Sequence, residues 1–271
     1  MNGSLADAAL ACVACKDASE KVALSRDTAR AWREGDFSLT GDDQPFIETS
    51  PVQAGIPDRV KLVHPFEVPK RKISTERGRR AFVHAIAHIE FNAINLAWDS
   101  VWRFGGMPRA FYDDWIGVAA EETEHFAMLA ERLGELGGAY GDLPAHNGLW
   151  EMAEKTSDDL TARMAMVPRY LEARGLDVTP GMIERMEKLD DQRSAAILRV
   201  IYEQEIGHVE VGTRWFRWSC ERRDVDPDTE FARLLDHFLT GRVKGPFNLE
   251  ARRAAGFSPA ELRRLTGSVD S

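Results

Sequence analysis

A chain of 271 residues that is 44% hydrophobic and 29% charged is long for one domain and short for two. Its composition excludes a disordered polymer, and no apolar run approaches the ~18 residues a membrane-spanning helix needs. The net charge of −9, from 35 basic and 44 acidic residues, excludes a general nucleic-acid coat, which requires a basic surface. The opening Met1-Asn2-Gly3-Ser4-Leu5-Ala6-Asp7 has neither the basic nor the apolar region of a secretory signal. Three cysteines are too few to staple a chain of this size, so the expected compartment is a reducing cytoplasm.

In chain order, Ala6 to Arg33 reads as one or two short helices rich in Ala, Lys and Glu. Gly35 to Pro69 holds Pro45, Pro51, Pro57, Pro65 and Pro69, which predicts an extended arm rather than a core element. Its Phe46, Ile47, Val60, Leu62, Val63 and Phe66 are expected to find cover by lying across the body of the protein. Four long helices follow. The first starts at Ser74-Thr75-Glu76, where a hydroxyl can cap free amides, and stops by Gly105-Gly106. The second starts after Pro108 and ends at Gly134 to Gly138. The third runs from Leu149 to Arg174, where Gly175 and Pro180 interrupt it, and the fourth covers Asp190 to Arg222. Shorter helices are predicted over Asp228–Leu239 and Pro259–Leu265. Strand signals are weak throughout. The expected fold is all-α, an antiparallel four-helix bundle over 73–222, with an N-terminal helical and extended arm (1–72) and a C-terminal helical tail (223–271).

Two segments share one pattern, Glu122-Thr123-Glu124-His125 and Glu205-Ile206-Gly207-His208. Three residues apart on a helix, Glu and His lie only ~60° apart and one turn along, so both can reach one metal ion. The stripes around them are apolar: Trp115, Val118, Leu129 and Leu133 about the first, Leu198, Ile201, Gly212 and Trp215 about the second. A carboxylate and an imidazole in such a stripe are costly unless paired or metal-bound. Glu124, ~200° from Glu122, is expected to face outward.

The other two helices should each supply one carboxylate. Glu90 stands in the stripe Val83, Ile86, Ile94, Ala97, Val101, and Glu172 in the stripe Ala165, Pro168, Leu176. Glu90 and Glu122 are 32 residues apart with their midpoint at Gly106, inside the Gly-Gly-Met-Pro turn. Glu172 and Glu205 are 33 apart with their midpoint at Lys188-Leu189. Pro180-Gly181 is the stronger helix breaker there, and a turn at that point would make Asp158 or Asp159 the partner instead. Two Glu and two Glu-x-x-His form the ligand pattern of ferritin-like di-iron carboxylate bundles, and the equal spacing reads as a duplicated hairpin.

The stretches His88-Ile89-Glu90-Phe91-Asn92-Ala93-Ile94, Glu121 to Phe126, Val167 to Gly175, Glu203 to His208 and Gly245-Pro246-Phe247-Asn248 resemble the bacterial ferritin-like family of unknown function numbered 455. The resemblance covers about residues 5–265. The Leu171-Glu172-Ala173-Arg174 piece is also similar to the third-helix ligand region of the tRNA methylthio-isopentenyladenosine hydroxylases. That likeness favours Glu172 over Asp159 and implies a di-iron centre with oxygen chemistry.

The expected function is a di-iron oxidoreductase that hydroxylates or oxidises an organic substrate with O₂. Its two iron ions (manganese or zinc as substitutes) would be held by Glu90, Glu122, His125, Glu172, Glu205 and His208. The alternatives are ferroxidase, iron storage or peroxide scavenging, and a metal-free structural bundle. Tyr202, one turn before Glu205, is a candidate relay. Cys12-Val13-Ala14-Cys15 lacks the further ligands of a zinc site, and the i, i+4 pair His84 and His88 points more than 100° away from Glu90. Expected partners are a small-molecule or nucleoside-type substrate, a second copy in a homodimer, and no membrane. An anionic partner would meet basic clusters at Lys70, Arg71, Lys72, Arg77, Arg79 and Arg80, or at Arg242, Lys244, Arg252, Arg253, Arg263 and Arg264.

Overall fold

The computed structural model describes residues 4–39, 45–68, 72–239 and 244–267. The chain is predominantly helical and divides into two compact units, residues 1–154 and 155–271. Pro69, Lys70, Arg71 and Arg242, named above, lie outside the described residues. No helix among the described residues is long and apolar enough to cross a membrane.

The first unit is built on a helical hairpin. Helices α1 (Leu5–Ala14) and α2 (Ala18–Glu34) are capped by Ser4 and Asp17. Helix α3 (Glu76–Arg103) starts at the Thr75 hydroxyl, which accepts from the Gly78 amide, and α4 (Arg109–Glu135) follows Pro108. Between α3 and α4 the chain turns at Gly106, whose φ of 64° suits glycine. From Glu90 to Arg103 almost every α3 side chain but Trp102 is buried, which makes α3 the core helix of this unit. Helix α1 packs on α3 and α2 on α4, and the short α5 (Gly148–Lys155) ends the unit.

The arm adds a small sheet that the sequence did not signal. Strand β1 (Phe46–Ile47) pairs antiparallel with β2 (Phe104–Gly105) at the end of α3. The Phe46 ring covers Gly105 so closely that a Cβ there would lie 2.1 Å from it. Arg103, paired with Asp99 at 2.8 Å, donates to the Glu48 carbonyl at 2.8 Å and ties the arm down. Val60 is buried as expected, but Phe46, Leu62 and Phe66 are 60%, 42% and 94% exposed. Cover was therefore expected for more of the arm than receives it. Backbone pairing and the Arg103 bond hold the arm, not apolar burial alone.

In the second unit the third long helix departs from expectation. It is broken at 156–159, restarts as α6 (Leu160–Met166), passes through a π-helical turn (Val167–Glu172) and continues as α7 (Ala173–Lys188). Gly175 and Pro180 do not end it. Proline lacks the N–H that would satisfy the carbonyl four residues back, and here the Asn248 side chain donates to that Leu176 carbonyl at 3.3 Å instead. The chain turns at 189–191, with Asp190 at φ 56°, and α8 (Gln192–Arg222) begins at the Asp191 cap. That is the turn the Glu172–Glu205 spacing requires. Helices α9 (Pro227–Phe238) and α11 (Pro259–Thr266) match the expected tail, and α10 (Leu249–Ala254) is an addition.

Gly212 on α8 receives the Pro168 ring, whose Cβ and Cγ would lie 2.4 Å from an added Cβ. A methyl there must displace a rigid ring, so Gly212→Ala should cost about 1–3 kcal/mol. Gly117 in α4 has nothing within 4 Å of an added Cβ, and Gly117→Ala should gain up to about 1 kcal/mol from helix propensity. Urea midpoints of the two variants check the opposite signs.

Candidate metal centre

The α3–α4 hairpin brings three of the expected ligands together. Glu90 enters from α3, and Glu122 and His125 from α4, one turn apart. The turn at their midpoint sets the two carboxylates level. His125 Nδ1 lies 3.2 Å from Glu90 Oε2 and 3.2 Å from Glu122 Oε2. One atom of each residue falls within 4.8 Å of the others, close enough to share a metal ion. All three are buried, with His125 at 0% and Glu122 at 1% exposure. Glu124 is exposed and pairs with Arg26 at 2.7 Å, facing outward as expected.

Burial dominates the protonation of this trio. It pushes the Glu90 carboxyl well above its usual range, and the Glu122 charge adds to the push. Burial pulls the His125 imidazolium down, but hydrogen bonds and charge from Glu122 and Glu90 outweigh it and lift the group to about 11. Two protons shared among the two carboxylates and the imidazole leave the trio neutral. A divalent cation in their place also gives neutrality: two carboxylates, a neutral imidazole and two positive charges. The donor set therefore fits a hard divalent ion, with oxygens and one nitrogen facing inward.

In the second unit, His208 Nδ1 lies 3.6 Å from Glu205 Oε1 on α8, with both side chains largely buried. The Glu-x-x-His pairing found on α4 is repeated there through the same ring nitrogen. Glu172 ends the π-helical turn and is half-buried. Asp159 caps α6, accepting from the Thr161 and Ala162 amides, and pairs with Arg223 at 2.9 Å. The Tyr202 hydroxyl accepts from Asn248 Nδ2 at 2.8 Å.

Cys12, His84 and His88 make structural contacts. Cys12 packs against the Thr28 hydroxyl at 3.6 Å, and burial pushes its thiol up to about 11, which makes it unreactive. His84 Nε2 accepts from the Gly141 amide at 2.9 Å, and His88 Nδ1 meets the Tyr140 hydroxyl at 2.8 Å. Parts of both basic clusters are used inside their own units. Arg80 donates to the Leu136 carbonyl at 3.1 Å, and buried Arg252 pairs with Asp177 at 2.7 Å.

Sequence reasoning missed Lys21, which is fully buried and donates to the Cys12 and Val13 carbonyls at 2.6 and 3.1 Å and to Asn95. Its signal was the stripe Lys21, Ser25, Thr28, Trp32 at helical spacing, small polar groups and one tryptophan on a buried face. Buried Arg169 was missed too, and no local pattern announces it.

The predominantly helical chain with this buried two-carboxylate, one-histidine cluster matches a family model described as "Protein of unknown function (DUF455)" over residues 14–263. The chain belongs to that family. An uncharacterized protein of Haemophilus influenzae is 46% identical over 228 residues, covering 82% of this chain and 79% of that protein. No solved structure matches.

Two predictions follow from the ionisation of these groups. Burial lowers His84 from 6.5 to about 4, so between those values the unfolded chain binds the proton and the folded chain does not. The stabilisation is complete above pH 6.5 and is lost as pH falls towards 4. His84→Gln keeps an acceptor for Gly141 and should show a shallower acid loss in melts from pH 7 to 4.

The trio is expected to exchange about two protons for each divalent ion near neutral pH. Calorimetry with Co²⁺ in buffers of different ionisation enthalpy measures that number. Glu122→Ala should remove the ion held by this trio together with its proton release, and Glu124→Ala should leave both unchanged.

Proposed function

We propose that the chain is a di-iron carboxylate oxidoreductase on a ferritin-like four-helix scaffold spanning about residues 73–222. In this reading Glu90, Glu122 and His125 hold one iron, and Glu172, Glu205 and His208 hold the other. The observation that carries it is the buried Glu90–Glu122–His125 trio, whose charge balances equally well with two protons or one divalent ion. The repeated His Nδ1–Glu pairing on α8 supports a second, equivalent half.

Iron bound there would supply O₂ reduction coupled to oxidation of an organic substrate. The chain's own residues set the conditions. The carboxylates provide hard anionic donors that favour the higher oxidation state. The burial of Glu90, Glu122 and His125 keeps bulk water from the first half. Tyr202, held by Asn248 one turn before Glu205, would carry a proton along α8.

An anaerobic ferrous titration followed by O₂ exposure tests the reading. About two Fe²⁺ per chain should bind, with oxygen consumption on mixing. Absence of binding would leave a structural bundle, and a large iron-filled assembly would make the protein a store. Glu172→Ala should reduce binding to about one ion, while Asp159→Ala, the loss of a helix cap, should lower stability by about 0.5–2 kcal/mol with two ions retained. The reverse pattern would assign the ligand to Asp159.

A further inference from the structure

A π-helical turn is rare and persists where its surroundings hold it. Two devices hold Val167–Glu172. The Pro168 ring sits in the notch left by Gly212. The next residue, Arg169, is fully buried. Its Nε donates to the Thr213 hydroxyl at 3.1 Å, and its Nη2 donates to both Glu261 oxygens at 2.7 and 2.8 Å. The rings of Phe231, Phe216 and Phe257 lie 4.3, 4.6 and 4.8 Å from the guanidinium. Glu261 belongs to α11, far along the chain, and is itself buried.

For stability alone this is a poor arrangement. Two charges lose their hydration, and apolar residues of similar volume would do as well or better. What a planar guanidinium bonded to both a carboxylate and a hydroxyl adds is geometry, because it fixes orientation as well as distance. The register shows what is being fixed. Pro168 meets Gly212 across the hairpin, so four residues on along one helix and four back along the other bring Glu172 level with His208. If the turn relaxed to regular α-helix, the side chain at 172 would swing by up to ~100°.

We propose that Arg169 and Glu261 are positioning residues for the second metal. The C-terminal helix α11, through this ion pair, holds the π-helical turn in the register that presents Glu172 beside His208 and Glu205. The proposal rests on the di-iron reading above and adds the element that assembles its second half. The tail beyond the long helices is then part of the metal site without touching the metal.

The test uses the full-length chain titrated anaerobically with Co²⁺, reading equivalents bound and the visible absorption of the bound ion. Wild type should bind about two equivalents. Glu261→Gln should bind about one, with the same residual spectrum as Glu172→Ala, and Glu261→Asp should restore the second. Near-UV circular dichroism without metal establishes that each variant is folded. If Glu261→Gln is not, Arg169→Lys, which keeps the charge and loses the planar guanidinium that joins Thr213 to Glu261, gives the same reading. A folded Glu261→Gln or Arg169→Lys that binds two ions with the wild-type spectrum overturns the positioning role and leaves the di-iron reading standing. Loss of both ions from a folded variant also overturns it, because the effect would not be confined to Glu172. A wild type that binds no Co²⁺ overturns both.

Discussion

Two carboxylates buried against a single imidazole constrain the first unit more than any other feature. An ion taken out of water costs several kcal/mol even after relaxation, and a domain's whole stability is about 5–15 kcal/mol. Glu90 and Glu122 therefore need positive charge at hand, and His125, between them, can supply it. Two protons shared by the trio meet the need in one way and a divalent ion in another. The helix pair is shaped to keep the three groups together under either solution. Its turn sits midway between the two acids, and its walls are aromatic.

The other buried charges show how differently the fold treats groups it does not leave for exchange. Arg103 is matched to Asp99, and Arg252 to Asp177. Lys21 has no carboxylate among its hydrogen-bond partners. It rests on the last carbonyls of α1 and over the Phe91 ring at 5.1 Å, where the helix end supplies partial negative charge. Burial still lowers it to about 8. Each of these cations is held by fixed protein groups. The acids at the candidate centre instead face one another and a histidine that a metal ion would have to deprotonate.

In the second unit the constraint is backbone geometry. Pro168 and Pro180 both stand in one helical run, and each is accommodated by something distant in sequence. Gly212 leaves room for the first ring, and Asn248 satisfies the carbonyl that the second leaves open. Asn248 also caps α10, bonds Tyr202 and donates its own amide to Asp177 at 2.9 Å. A few residues of the tail thus stabilise a kinked helix that could not hold its shape alone.

Periodicity and caps made most helices legible in the sequence, because those signals are local. Thr75, Pro108, Gly106 and the apolar stripes act within a few residues of themselves, and the structure follows them at α3, α4, α8, α9 and α11. The Glu90–Glu122–His125 trio was legible for the same reason, since equal distances from one turn bring two residues level. Pro180 misled, because a breaker is judged against the local backbone, whereas its missing hydrogen bond is compensated by a side chain 68 positions later. Nothing near Lys21 foretold its Asn95 partner, and nothing near Arg169 foretold three aromatic rings and a distant glutamate. Side chains whose partners lie far along the chain acquire their environment only when the chain closes on itself. The sequence by itself determined which residues lie on which helix face. The tertiary structure decided where the third helix bends, which charges are buried, and what holds them there.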